Sequence, residues 1–199
     1  MELLGKRIGF GLTGSHCTYE EVMPQIECLI EAGADVIPVV SAAVKDTDTR
    51  FGKGLDWVKK LEEITGNEIV DSIKLAEPFG PSRPLDCMVI APLTGSSLSK
   101  LARAQSDTAV LMAAKATMRN LGPIVLAIST NDGLGLSGEN MMKLMTVKNI
   151  YFVPFGQDDP VKKPNSIVAR MDNLLDTVVS ALNGRQIQPV LIERFLDFK

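Results

Sequence analysis

The chain has little of what many catalytic sites are made from. Its 199 residues include one histidine (His16), three cysteines, two tyrosines and one tryptophan. With a single histidine and no cluster of cysteines, a zinc site is not expected. Cys17, Cys28 and Cys87 are odd in number and widely spaced, so they predict neither a disulfide framework nor a paired redox motif, and a reduced cytoplasmic setting fits them. No apolar run reaches membrane-spanning length, and the start, MELLGKRIGFGLTG, lacks the long apolar region of a secretion signal. Basic excess is missing too. The net charge is −3, and lysine and arginine are scattered, which argues against nonspecific binding to nucleic acid or to an acidic surface. No carboxylate pair has a spacing that specifies acid–base chemistry.

What is present suits a packed domain. Hydrophobic residues make up 45% of the chain, and 16 glycines with 11 prolines are ordinary usage. Apolar runs of strand type recur at Ile8–Leu12, Asp35–Val40, Cys87–Ala91, Ile124–Ile128 and Ile150–Val153. Short continuous apolar strands are what a parallel sheet covered on both faces requires. Pro38 marks the second run as an edge or a strand end. Helical patterns fill the intervals. Thr18-Tyr-Glu-Glu21 matches a capping box, Val22, Ile26, Leu29 and Ile30 share one face, and Gly33 suits the C-terminal cap. Residues 97–105, 107–119, 138–147 and 166–182 also read as helices, the last ended by Asn183-Gly184. The alternation predicts an α/β fold of three layers (α/β/α) around a doubly wound, mostly parallel sheet. Residues 1–199 are expected to form one domain with a C-terminal helix and an apolar docking tail from Gln186. Residues 41–84 are the least regular. Asp158–Pro164 reads as a solvated loop, Cys28 and Cys87 as core, and Met141, Met142 and Met145 as core or subunit interface.

The densest chemistry lies in GFGLTGSHCT, residues 9–18. A glycine-rich turn between a first strand and a helix lets backbone N–H groups approach an anion, and Thr13 and Ser15 add hydroxyls. The stretch is not a nucleoside-triphosphate P-loop, because no lysine follows. It does fit G-x-G-x-x-G, but the second strand ends in Val39-Val40-Ser41 rather than in the acidic residue of a dinucleotide site. His16 beside Cys17 raises a nucleophile and base as a lesser reading; adjacent residues do not face one another. The other strand ends are alike in character: Ser41-Ala-Ala, Pro92-Leu-Thr-Gly-Ser-Ser97 and Ser129-Thr-Asn-Asp-Gly-Leu-Gly135. In doubly wound sheets ligands bind beyond the carboxyl ends of the strands. Taken singly, Ser97 and Ser137 read as helix caps.

These stretches resemble the flavoprotein superfamily that includes the homo-oligomeric flavin-containing cysteine decarboxylases. Gly11-Leu-Thr-Gly-Ser15 matches its first-strand loop, Ser41 its phosphate-contacting serine, Pro92–Ser97 its P-A-S-A-N-T motif and Ile128–Asn131 its P-A-M-N segment. The resemblance implies a Rossmann-like flavoprotein fold and FMN. It assigns Gly11, Thr13, Gly14, Ser15 and Ser41 to the phosphate, and Thr94, Gly95, Ser96, Ser97 and Asn131 to the ring or substrate. The superfamily's histidine between strands two and three has no counterpart here, so decarboxylation is not expected, and no catalytic residue is assigned. More narrowly, GKRIGFGLTGSHCTYEEV, VIAPLTGSSLSKLA and STNDGLGLSGENMMKLM resemble the B subunits of the two-subunit dipicolinate synthases of endospore-forming bacteria. That likeness implies oxidation of dihydrodipicolinate in the mother-cell cytoplasm, a partner A subunit carrying NADP, and a homo-oligomer, a trimer or a multiple of one. A flavin-free subunit that activates the A subunit is the alternative.

Overall fold

The computed structural model describes residues 2–193. The five apolar runs all form strands. They are β1 (Arg7–Leu12), β2 (Asp35–Val40), β3 (Cys87–Leu93), β4 (Ile124–Thr130) and β5 (Ile150–Phe152). β2, β1, β3 and β4 lie side by side and parallel, and β5 runs parallel to the first half of β4. Every residue of β3 is buried, as a strand sandwiched between helix layers must be. Pro38 sits in the edge strand β2, where its missing N–H removes no ladder bond; its carbonyl accepts from Val70 N at 2.8 Å.

The helices are α1 (Tyr19–Glu31), α2 (Ala42–Lys45), α3 (Gly54–Thr65), α4 (Ile73–Ala76), α5 (Gly95–Ala102), α6 (Ala109–Arg119), α7 (Ser137–Met145) and α8 (Leu174–Leu182). α1 and α8 pack on one face of the sheet, with α3 beside α1; α6 covers the other, with α4 and α5 against it. This is the three-layer, mostly parallel arrangement that the alternation predicts. α1 buries Val22, Met23, Ile26 and Leu29. Its Pro24 is exposed, so the carbonyl left without a partner one turn back lies toward solvent. Gly33 follows α1 with φ +100° and donates to Ile30 O, as a terminating glycine should.

Several expectations fail. The capping box at Thr18 does not form. A 3-10 turn (His16–Thr18) runs straight into α1, Thr18 takes a helical backbone, and its hydroxyl turns back to donate to Ser15 O at 2.8 Å. Residues 166–182 are not one helix. Ser166–Ala169 closes strand β7 (Lys163–Ala169), and only Leu174–Leu182 is helical. Asp158 and Asp159 belong to β6 (Phe155–Asp159), which pairs with β7 as an antiparallel hairpin, so the run to Pro164 is not a simple loop. β7 pairs antiparallel with Ser129 and Thr130, the outer end of β4. The hairpin therefore stands at the carboxyl ends of the parallel strands. Cys28 is half-buried, against the core position expected of it, whereas Cys87 is buried. Met141 is in the core and Met142 is 50% exposed. Part of the tail docks on its own chain: Gln186 bonds the backbone of Phe152 at 2.8 and 2.7 Å, and Leu191 bridges to Phe155. Residues 194–199 of the expected tail lie outside the described residues.

Gly54 marks the point where α3 meets α2. A Cβ there would stand 2.3 Å from the Lys45 carbonyl oxygen and 2.6 Å from that of Val44, both backbone atoms. We expect Gly54→Ala to lower stability by about 2 kcal/mol, the cost of overpacking a filled site. Urea denaturation checks it; an unchanged midpoint would refute the packing described.

Candidate functional site

The loop after β1 is shaped by packing before it can bind anything. Gly11 lies in the strand, and a Cβ on it would come within 2.8 Å of Met88 Cε and Val110 Cγ1. Its lack of a side chain lets β3 and α6 close over β1. Thr13 is buried, and its hydroxyl joins two strand ends: it donates to Pro92 O at 2.6 Å and accepts from Thr94 N at 3.0 Å. Tyr19, at the start of α1, donates its phenol proton to Thr13 O at 2.9 Å. Burial pushes the Tyr19 phenol well above its ordinary range, so it stays a donor at any physiological pH.

Beyond Thr13 the chain turns outward. Ser15 Oγ meets Ser129 Oγ at 2.8 Å, linking the first loop to the end of β4. Around this contact is a cavity of about 210 Å³. Ser15, Cys17, Ser129, Thr130 and Asn131 line one part of it; Asp158, Lys163 and Ser166 of the hairpin line another. Asn131 is exposed and accepts a long bond from Ser166 at 3.5 Å. Lys163 is paired with Asp158 at 2.9 Å, and that hydrogen bond raises its pKa and keeps the ammonium charged.

Thr94 caps α5. Its hydroxyl accepts from Ser97 N at 3.3 Å and donates to Ser97 Oγ at 3.1 Å. The expectation that Ser97 and Ser137 are caps is therefore corrected: Thr94 caps α5, and Leu136 precedes α7 with no side-chain cap. Gly95 permits close approach, since a Cβ there would be 2.6 Å from Thr130 Oγ and 2.9 Å from Asp132 Oδ1 and Ser137 Oγ. Ser96 is exposed. The loops after β1, β3 and β4 thus converge at one end of the sheet.

Ser41 lies to the other side of the glycine turn. Its N–H donates to Leu12 O at 3.1 Å, and Ala43, two residues on, has its Cβ 3.1 Å from the point where a Gly14 Cβ would stand. Ser41 Oγ is buried without a partner among the described residues, and so is His16 Nδ1. Burial lowers the His16 pKa from 6.5. His16 and Cys17 make no hydrogen bond among the described residues; the Cys17 thiol faces Ser15 Oγ at 3.9 Å instead. The nucleophile-and-base pair is not assembled.

Two features were missed by the sequence reading. The hairpin residues Asp158, Lys163 and Ser166 enter the cavity from about 150 positions away in the chain, and no local pattern announces such a contact. The unpartnered hydroxyl and imidazole carry a signal only once burial is known. No group of three or more His, Cys, Asp and Glu among the described residues could hold a metal ion.

The flavoprotein family profile matches residues 1–186. The B subunit of dipicolinate synthase from Bacillus subtilis (strain 168) is 66% identical over 97% of this chain and 96% of its own length. The crystal structure of the dipicolinate synthase B subunit from Bacillus halodurans superimposes with a TM-score of 0.91 at 61% identity, covering 98% of this chain and all of that one. The FMN-dependent cysteine decarboxylase SpaF shares the fold at 16% identity, with a TM-score of 0.65 over 91% of this chain and 99% of its own.

Removing the Thr13 hydroxyl should strand a buried carbonyl and a buried N–H together. Thr13→Val is expected to cost about 2–3 kcal/mol, from two unsatisfied groups at about 1–3 kcal/mol each less partial relaxation. Chemical denaturation reads it; a loss below about 0.5 kcal/mol would refute the bridging role.

Proposed function

This chain belongs to the flavoprotein family and is a homologue of the dipicolinate synthase B subunit, and we propose that it is the FMN-binding subunit of a synthase that oxidises dihydrodipicolinate to dipicolinate in sporulating cells. The observation that carries the reading is identity of 66% across 97% of the chain. Likeness at that level extends through loops as well as core, and loops carry function. The partner is an A subunit bearing NADP, and the setting is the mother-cell cytoplasm; no helix among the described residues is long and apolar enough to cross a membrane. Self-association into a trimer, or a multiple of one, would use the exposed Leu134, Leu136 and Met142 around α7.

The residues at the strand ends fit a flavin phosphate. Gly14 presents a face without a side chain toward Ala43 on the segment after β2, and the Ser41 hydroxyl at the head of that segment has no partner among the described residues. Gly14, Ser15 and Ser41 would hold the phosphate, with Gly11 and Thr13 setting the path of the loop. Ser96, Ser97 and Asn131 would border the ring or substrate, with Thr94 and Gly95 positioning them. When bound, FMN supplies a two-electron acceptor, and the protein supplies orientation and a shielded site. Lys163 lines the cavity paired with Asp158, and would meet a substrate carboxylate by exchanging it for that partner.

A flavin-free role beside the A subunit is favoured by one observation. The hydroxyls of Thr13, Ser15 and Thr94 are already bonded within the protein. The two readings part in a visible spectrum taken after mixing with FMN and gel filtration. We expect a retained flavin band, and affinity lower by about tenfold in Ser15→Ala and Ser41→Ala, the loss of one hydrogen bond to a charged group. With the A subunit present, dihydrodipicolinate should bleach that band. No retained band would sink the flavin reading and leave the role of a companion to the A subunit.

A further inference from the structure

We propose that the groove between the end of α5 and α6 is the docking site of the partner A subunit, and that it takes a segment of that subunit in which apolar side chains stand between carboxylates. The proposal rests on the reading above that this chain works beside an A subunit.

The groove has a volume of about 340 Å³. Leu101, Leu111 and Met118 give it an apolar lining, and Ala104 stands at its edge. Lys115 and Arg119, one turn apart on α6, line it as well, and no acidic residue does. Both are exposed. Side chains of this kind lay their aliphatic stems along apolar surface and hold their charges in water. The result is an apolar trough with cations on its rim.

Lysine and arginine are scattered along the sequence, but the fold gathers them here. The loop that walls the groove carries Arg103 beside Ala104, and its one carboxylate, Asp107, is taken by Lys100 at 2.7 Å. Arg103, Lys115 and Arg119 form no ion pair among the described residues. Arg103 bonds only Ser99, and Lys115 reaches Ser106 at 3.4 Å. Cations left without a counter-charge, on a chain whose net charge is −3, match an acidic surface. An apolar centre ringed by polar groups is also the anatomy of a protein interface.

Two further observations favour this place. Ala104 has φ +57°, where it closes α5 with its N–H on Leu101 O at 3.0 Å. Glycine is the usual residue at such a turn, and alanine is strained there. Glycine would relieve the strain but would take apolar surface from the groove. The position also suits a partner in the reaction. α5 starts at Gly95, in the candidate site, and its 8 residues end at the groove, about 12 Å away. Two other cavities differ in kind. The one beside β2 mixes Arg7, Lys74 and Arg83 with Asp35 and Glu68, and the one beside β5 is walled by this chain's own Gln186 and Val190.

The test is the affinity of the purified A subunit for the full chain, read by calorimetry, with the self-association of this chain read by light scattering. For the wild type, raising the salt from about 50 to about 300 mM should weaken the complex about tenfold. Lys115→Glu with Arg119→Glu should weaken it about thirtyfold or more, since like charges then face one another. Lys53→Glu with Lys59→Glu, the same change of charge on α3 across the sheet, should leave it within about threefold. All four residues are exposed, and an unchanged urea midpoint checks that each variant folds. Equal effects of the two charge reversals would overturn the proposal while the two-subunit reading stands. If reversal at Lys115 and Arg119 splits the homo-oligomer and leaves the A subunit bound as before, the groove lies between copies of this chain and the proposal falls. If the wild type does not bind the A subunit at either salt, the two-subunit reading fails and the proposal with it.

Discussion

One buried hydroxyl holds this end of the molecule together. Thr13 Oγ sits between the carbonyl of Pro92 and the amide of Thr94, so the tips of β1 and β3 cannot drift apart without breaking two bonds that water cannot replace. Tyr19 then bonds the Thr13 carbonyl, which fixes the start of α1 to the same point. The next amide along, that of Thr94, opens α5, whose cap is the Thr94 side chain. A strand end, a helix start and a second strand end are thus referred to a single residue. The glycine turn that follows needs no rigidity of its own, because both of its ends are held.

That arrangement separates two jobs within one short motif. Gly11 and Thr13 look inward: one lets Met88 and Val110 close in, and the other bridges strands. Gly14, Ser15 and His16 look outward. Side chains of the same chemical type, such as the hydroxyls of Thr13 and Ser15, therefore have different duties only two positions apart. The pattern Gly-x-Thr-Gly-Ser reads as a ligand loop in sequence, and about half of it turns out to be joinery.

Much of the fold was legible for a simple reason. β1 and β3 to β5 are buried on both faces, and such strands must be continuous apolar runs, which are easy to see. β7 escaped because Lys-Pro-Asn-Ser precedes its apolar residues Ile-Val-Ala, and because α8 follows closely enough to blend with it. Thr18 misled because a capping box presumes an extended residue before the helix, and here a 3-10 turn occupies that place. In the site, the strand-end serines and threonines were legible from the parallel-sheet rule, which says where loops must gather. Lys163 and Ser166 were not, because their arrival depends on an antiparallel hairpin folding back over β4. The expected cap at Ser97 and the actual cap at Thr94 lie three positions apart, about one helical turn.

The sheet also closes its own borders. At β2 the backbone of Val70 donates to Pro38 and accepts from Val40. At the far side Phe155, the first residue of β6, exchanges bonds with Val190 and Ile192. Each outer strand thus meets a single pass of irregular chain where a further strand would otherwise attach. Exposed strand borders invite other chains to add on by main-chain pairing, a contact that ignores side-chain identity. With these positions taken, recognition is pushed onto side chains, which can tell one partner from another.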